Sequence, residues 1–248
     1  MNDTVAVDAL GNGIVQVQMK DKLSKNCFTS SLVAGLIEAF ATIASSRSYK
    51  VVVLTGFDSY FCSGGTKEGL IDLVDGKVKF TDTQLYRLPL DCPLPVLSAM
   101  QGHAIGGGFV FGLFADVVLL SRESIYAANF MKYGFTPGFG TTLVLPQKLG
   151  MALAAEMMLT AGTYRGEELQ RRGVPFQVLP RNELLQRAHE LAATIAEKPR
   201  DALMALKAHI VAPLRENLAG YIAKELQMHA QTLHTREVRD RIEHAFDN

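Results

Sequence analysis

Two short glycine-rich turns stand behind runs of β-forming residues. Ser63-Gly64-Gly65 follows Val51 to Thr55, and Gly106-Gly107-Gly108 follows Val96 to Met100 and opens a helix-like segment. Such turns leave backbone N–H groups without internal partners, and the missing Cβ lets a ligand atom approach closely. Two amides converging on one oxygen make an oxyanion hole, in which each donor is worth about 3 to 4 kcal/mol of transition-state stabilisation. A lone glycine turn more often serves tight packing, so it is the pair, in this setting, that points to carbonyl chemistry. Two titratable residues stand apart from the turns. Lys79 lies two residues after Lys77, where the ordinary reading is a solvated loop charge. His229 falls among Ile222, Leu226 and Leu233 at helical spacing and shares their apolar face, so it is either a satisfied core residue or a group aimed at a pocket. His103, just before the second turn, reads as a hydrogen-bonder that supports the loop.

Something must hold these residues in register. Val5 to Val7 and Ile14 to Val17, separated by Gly11 and Gly13, read as a hairpin. Leu32, Leu36, Ile37 and Phe40 recur at helical spacing, and the run from Val51 to Leu54 follows as a strand. The unit repeats: a strand over Pro95 to Met100, a small-residue helix over Gly106 to Phe114, and another strand over Val117 to Leu120. This is the pattern of an α/β protein with a parallel sheet flanked by helices. A helix is expected from about Leu145 to Leu159, and from Asn182 onward the spacing is helical with almost no strand signal.

The 248 residues are 48% hydrophobic and 20% charged, enough for one large domain or a domain plus an appendage. Lys+Arg and Asp+Glu each total 25, so no global field favours nucleic acid or an anionic membrane. Met1 is followed by Asn2, Asp3 and Thr4 rather than by a basic and then apolar stretch, which predicts neither a signal peptide nor a membrane span and hence a cytoplasmic protein. Cys27, Cys62 and Cys92 form no CxxC pair and leave an odd count, an argument against a disulfide framework or a zinc site.

The segments YFCSGGTKEG and QGHAIGGGFVFGLFADVVLLS resemble the two oxyanion loops of the crotonase (enoyl-CoA hydratase/isomerase) superfamily, and AANFMKYGFTPGFGTTLVLPQKLG and AGTYRGEELQRRGVPFQVLP are similar to the family segments that follow. The resemblance covers essentially the whole chain. It implies a spiral of ββα units over residues 1–195, a C-terminal helical region over 196–248 that closes the site, and assembly as a homotrimer or a dimer of trimers. It also implies amide donors at Gly65 and Gly107. Family hydratases carry glutamates at positions that here are Val110 and Phe130, and neither residue can move a proton. Simple hydration is therefore disfavoured, whereas decarboxylation needs no abstracted proton.

More narrowly, GKVKFTDTQLY, ANFMKYGFTPG, KAHIVAPLRE and ELQMHAQTLH resemble the decarboxylating enoyl-CoA-hydratase-like enzymes of polyketide β-branching cassettes. That resemblance implies conversion of a 3-methylglutaconyl to a 3-methylcrotonyl thioester on an acyl carrier protein, with the substrate carried on phosphopantetheine or CoA and no metal or redox cofactor. Lys79 and His229 fall at the subfamily's catalytic positions, the lysine suited to the distal carboxylate and the histidine to positioning or reprotonation. Val110 and Phe130 are expected to face the acyl pocket, and Tyr86 to line it. The competing readings are an enoyl-CoA hydratase or isomerase and a non-catalytic member acting in assembly or RNA binding.

Overall fold

The computed structural model describes residues 3–247, so the reading of Met1 and Asn2 as a start without a signal segment lies outside the described residues. The strands are β1 (Val5–Gly11), β2 (Ile14–Met19), β3 (Val51–Thr55), β4 (Tyr60–Cys62), β5 (Val96–Met100), β6 (His103–Ile105), β7 (Val117–Ser121), β8 (Ile125–Ala127), β9 (Tyr164–Arg165) and β10 (Gln177–Leu179). The helices are α1 (Ser30–Ser45), α2 (Lys67–Val74), α3 (Leu88–Asp91), α4 (Gly107–Leu113), α5 (Thr141–Leu149), α6 (Met151–Thr160), α7 (Gly166–Arg171), α8 (Arg181–Ala196), α9 (Arg200–Thr232) and α10 (Arg236–Asp247).

β1 and β2 form the expected antiparallel hairpin, with Val5 opposite Met19. Beyond it the chain repeats one move. A long strand joins the first sheet, a short strand a few residues later joins a second sheet, and a helix or helical turn leads back. Thus β3, β5 and β7 lie side by side and parallel in a sheet of order β1-β2-β3-β5-β7-β10, while β4, β6 and β8 stack in a sheet of order β4-β6-β8-β9. This is a spiral of ββα units. Every residue of β3 and β5 is buried, as strands covered on both faces must be. Val51 and Val53 face Leu184, Ala188 and Ala192 of α8, while Val52 and Leu54 face the main core with Leu32 and Leu36 of α1. Each fully buried Leu, Val or Phe contributes about 1.5 to 3 kcal/mol to folding.

Two details depart from the sequence expectations. Ile37 is 38% exposed and sits off the buried stripe of α1, which runs through Leu32, Leu36, Phe40 and Ile43. The single helix expected between Leu145 and Leu159 is two, α5 and α6, because Gly150 takes φ +81°, ψ 152° and breaks the ladder. In α9 the buried positions Lys207, Val211, Leu214, Leu218, Ile222, Glu225 and His229 follow intervals of four, three, four, four, three and four, a stripe along one side of the 33-residue helix from Lys207 to His229. Its apolar members join the same cluster as the spiral. Among the described residues no helix is long and apolar enough to cross a membrane.

Candidate active site

The two glycine turns meet. The Gly64 carbonyl accepts from Phe28 N at 2.7 Å, and Gly106 N donates to the Ala127 carbonyl at 2.7 Å, so each turn is tied to a neighbouring segment. Gly64 has φ +84°, and a Cβ there would lie 2.6 Å from the Ile105 carbonyl oxygen and 3.6 Å from Gly107 N. No side chain fits, and the first turn is thereby seated against the second. The Gly65 and Gly107 amides donate to no group among the described residues. Both line a cavity of about 40 Å³, together with Gly64, Gly106, Phe130 and Tyr133. That volume suits one carbonyl oxygen or one water.

A second cavity, about 180 Å³, lies between the stretch that follows α2 and the C-terminal end of α9. Its lining includes Lys79, Phe80, Leu226, His229 and His234. Lys79 and His229, far apart in sequence, therefore face one space. They are brought together by the chain's own C-terminal helices: His234 Nδ1 donates to the Val74 carbonyl at 2.7 Å, and Arg239 pairs with Asp75. Lys77 is engaged by Asp72 and Asp75 at 3.0 and 3.1 Å, whereas Lys79 makes no ion pair among the described residues. The Lys79 backbone is fixed through its amide to Asp82 Oδ2 at 2.8 Å. Phe135 links the two cavities, since it lines the first and meets the His229 ring edge-on at 5.8 Å.

Phe130 lines the cavity between the glycine turns and packs its ring 6.1 Å from Phe135. Val110 is wholly buried in the main core and borders neither cavity, although it lies only one turn into α4. Tyr86 is also buried and borders neither; its ring sits 5.4 Å from Phe139 and 6.2 Å from Phe80. His103 Nδ1 accepts from Ile125 N at 3.0 Å, which ties β6 to β8 behind the second turn. The three cysteines are free, and burial pushes the Cys27 thiol up to about 11, so it is no thiolate nucleophile at neutral pH. Among the described residues no group of three or more His, Cys, Asp or Glu is placed to hold a metal ion.

The sequence pattern of the enoyl-CoA hydratase/isomerase family matches residues 9–246. The chain belongs to that family. The bacillaene synthase decarboxylase PksI of Bacillus subtilis (strain 168) is 55% identical over 247 residues, 100% of this chain and 99% of that one. A probable enoyl-CoA hydratase of Rhodobacter capsulatus is 31% identical over 199 residues, 78% of this chain and 77% of its own. A solved structure from a dehydratase/decarboxylase enzyme couple involved in polyketide β-branching superposes with a TM-score of 0.98 at 55% identity, covering 99% of this chain and 100% of that one. The ECH2 decarboxylase domain of CurF from Lyngbya majuscula gives 0.94 at 47%, with the same coverage.

Among the described residues neither cavity is lined by Asp or Glu. The titratable groups present are Lys79, His229, His234 and Tyr133. Burial lowers the His229 pKa from its ordinary value, His234 adds to that, and the Thr136 and Pro137 carbonyls oppose it. That direction favours the neutral ring. Its Nε2 lies 2.8 Å from the Thr136 carbonyl, which only accepts, so Nε2 carries a proton, and in the neutral ring Nδ1 is then bare.

Three residues of consequence were not anticipated from sequence. His234 follows His229 by five positions and faces the same cavity. Phe139 takes a left-handed φ of +65° and stacks on Phe28 at 5.7 Å. Glu225, one turn before His229, is wholly buried. The regular spacing of the α9 stripe was the available signal for Glu225, because it puts Glu225 in line with Ile222 and His229; nothing local marks Phe139.

Proposed function

We propose that this chain is a crotonase-type decarboxylase of polyketide β-branching, converting a 3-methylglutaconyl thioester on an acyl carrier protein to the 3-methylcrotonyl thioester. The observation that carries the reading is that, among the described residues, the cavity between the glycine turns has no carboxylate in its lining and the cavity beside it holds a lysine with no ion pair. The thioester oxygen accepts from the Gly65 and Gly107 amides, and Lys79 holds the distal carboxylate. The bond to that carboxylate breaks, carbon dioxide leaves, and the electron pair spreads through the dienolate onto the thioester oxygen, where the two amides meet the developing charge. Phe130 and Phe135 keep water from that oxygen.

A proton must then reach carbon. Neutral His229 has spent its N–H on Thr136, so it donates only after Nδ1 has taken a proton from solvent, and otherwise it walls and orients the substrate. This supports a histidine that relays rather than one that stores a proton. Hydration, the activity named for the more distant relative, would need an acid or base beside the acyl carbons, and no carboxylate lines either cavity. The substrate arrives on a phosphopantetheine arm, no metal or redox cofactor takes part, and the assembly is a homotrimer or a dimer of trimers.

The test is mass spectrometry of a 3-methylglutaconyl carrier protein incubated with the enzyme. Loss of carbon dioxide from the acyl group is the expected result; gain of water, or no change, would overturn the reading.

A further inference from the structure

The segment from Thr136 to Thr142 runs beside His229 of one cavity and Gly107 of the other, and three residues of α9 grip it. Thr232 Oγ1 meets Thr136 N at 3.4 Å and Thr136 Oγ1 at 3.1 Å, and His229 Nε2 donates to the Thr136 carbonyl. At the other end Glu225 Oε2 accepts from Gly140 N at 2.8 Å, and Oε1 accepts from Thr142 N at 2.9 Å and Thr142 Oγ1 at 2.7 Å. Glu225 is buried with no cationic partner among the described residues, so three donors alone compensate its desolvation. Between the grips the backbone is strained at Phe139, whose φ is a left-handed +65°; Gly140 follows at +74°, which a glycine adopts without penalty. A bulky residue holds that conformation only where its surroundings impose it.

The strain is spent at the site. A Cβ on Gly107 would lie 3.4 Å from Phe139 Cε1, and a Cβ on Gly138 would lie 2.8 Å from His229 Cε1. The loop thus touches the oxyanion donor on one side and the imidazole on the other. We propose that Glu225 is a positioning residue, holding the Phe139–Gly140 bend so that Phe139 backs the Gly107 amide and Gly138 backs the His229 ring. The proposal rests on the site assignment made above. The bland alternative is that Glu225 merely caps the N-terminus of α5, whose Gly140 supplies no side-chain cap.

Lys207 supplies the control. It is the other buried charge of the α9 stripe, bonded to the Pro89 and Leu94 carbonyls and to Asp116, and it borders neither cavity. Glu225→Ala, Glu225→Gln and Lys207→Met are compared with wild type for melting temperature, for kcat and KM on the carrier-bound substrate, and for the NMR titration of His229. The expected result is a kcat lower by about 10- to 100-fold in Glu225→Ala with KM within about twofold, an intermediate loss in Glu225→Gln, and a His229 titration moved up towards the ordinary imidazole value. Lys207→Met should lose melting temperature and keep kcat. Should Glu225→Ala fail to fold, Glu225→Gln carries the comparison. A folded Glu225 variant with wild-type kcat and an unmoved His229 titration overturns the proposal. If wild type itself releases no carbon dioxide, the functional reading has failed instead, and the clamp then stands or falls on the His229 titration alone.

Discussion

In the proposed reaction the glycine turns and the C-terminal end of α9 serve one substrate by opposite means. At Gly65 and Gly107 the proposed working groups are main-chain amides, set by the ladders of β3 to β8 and by the neighbouring Gly64 and Gly108, where a Cβ would lie 2.6 Å from the Ile105 carbonyl oxygen and 2.3 Å from that of Cys62. At Lys79, His229 and His234 they are side chains on segments that the C-terminal helices bring together. A substitution can alter the second set freely but reaches the first only through proline or a backbone shift. The glycine half is thus a property of the fold, whereas the half proposed to decide what leaves and what is protonated is a property of a few replaceable side chains.

The sharpest way to break this comparison is to remove an amide. Gly107 is the first residue of α4, where proline is tolerated because that N–H has no helical partner. A Cβ at Gly107 meets Phe28 at 3.2 Å, and one at Gly65 meets the flexible Leu70 at 3.1 Å. Gly107→Pro and Gly65→Pro should keep their circular dichroism and lose about 10²- to 10³-fold in kcat. Folded variants with wild-type turnover would show that the amides are spectators.

On the side-chain half, His229→Ala is expected to lower kcat by about 10²-fold and to change the ratio of product double-bond isomers, read by chromatography of the released acids. An unchanged rate would return His229 to the core. Lys79→Ala should cost about 10- to 100-fold in kcat/KM, part of it in KM, because it removes a charged hydrogen bond to the carboxylate in a partly open cavity. A neutral ester analogue of the substrate, bound as an inhibitor, should not distinguish Lys79→Ala from wild type; if it does, the lysine acts elsewhere.

The smallest effect is in stability. The folded-state pKa of His229 is depressed, so its contribution is complete above the ordinary imidazole value and is lost as pH falls through the lowered one. Glu225 has the opposite sign: burial raises its pKa, so its contribution is complete below the ordinary carboxylate value and is lost as pH rises through the raised one. Urea unfolding of wild type and His229→Gln should therefore converge as the pH falls below the ordinary imidazole value and through the lowered one. Parallel curves would mean that the ring titrates alike in folded and unfolded chains.

What could be read in the sequence follows the same division. The glycine turns were legible because glycine is conspicuous and its reason is backbone geometry; the repeated strand and helix pattern gave the parallel sheet flanked by helices, and the spiral came only with the family resemblance. Val110 and Phe130 were legible as absences of acid, but only Phe130 borders a cavity; which wall a core residue faces depends on how α4 seats against β4, which periodicity does not encode. Lys79 could be told from Lys77 only by resemblance, since the difference lies in Asp72 and Asp75 occupying one lysine and not the other. Glu225 was hidden because a glutamate reads as a solvent residue until three donors from a distant loop surround it. The break between α5 and α6 was missed because a single Gly150 inside a periodic run is often tolerated in a helix.

The grip of Glu225 on Gly140 and Thr142 also has a consequence in time. Gly140 lies in a bend outside the strand and helix ladders, where amide hydrogens ordinarily trade with solvent quickly, yet its N–H is buried against a carboxylate of α9. Its exchange is therefore slaved to the undocking of α9 rather than to local fraying. This one amide keeps a clock for the whole helix, ticking each time the C-terminal segment lifts from the spiral.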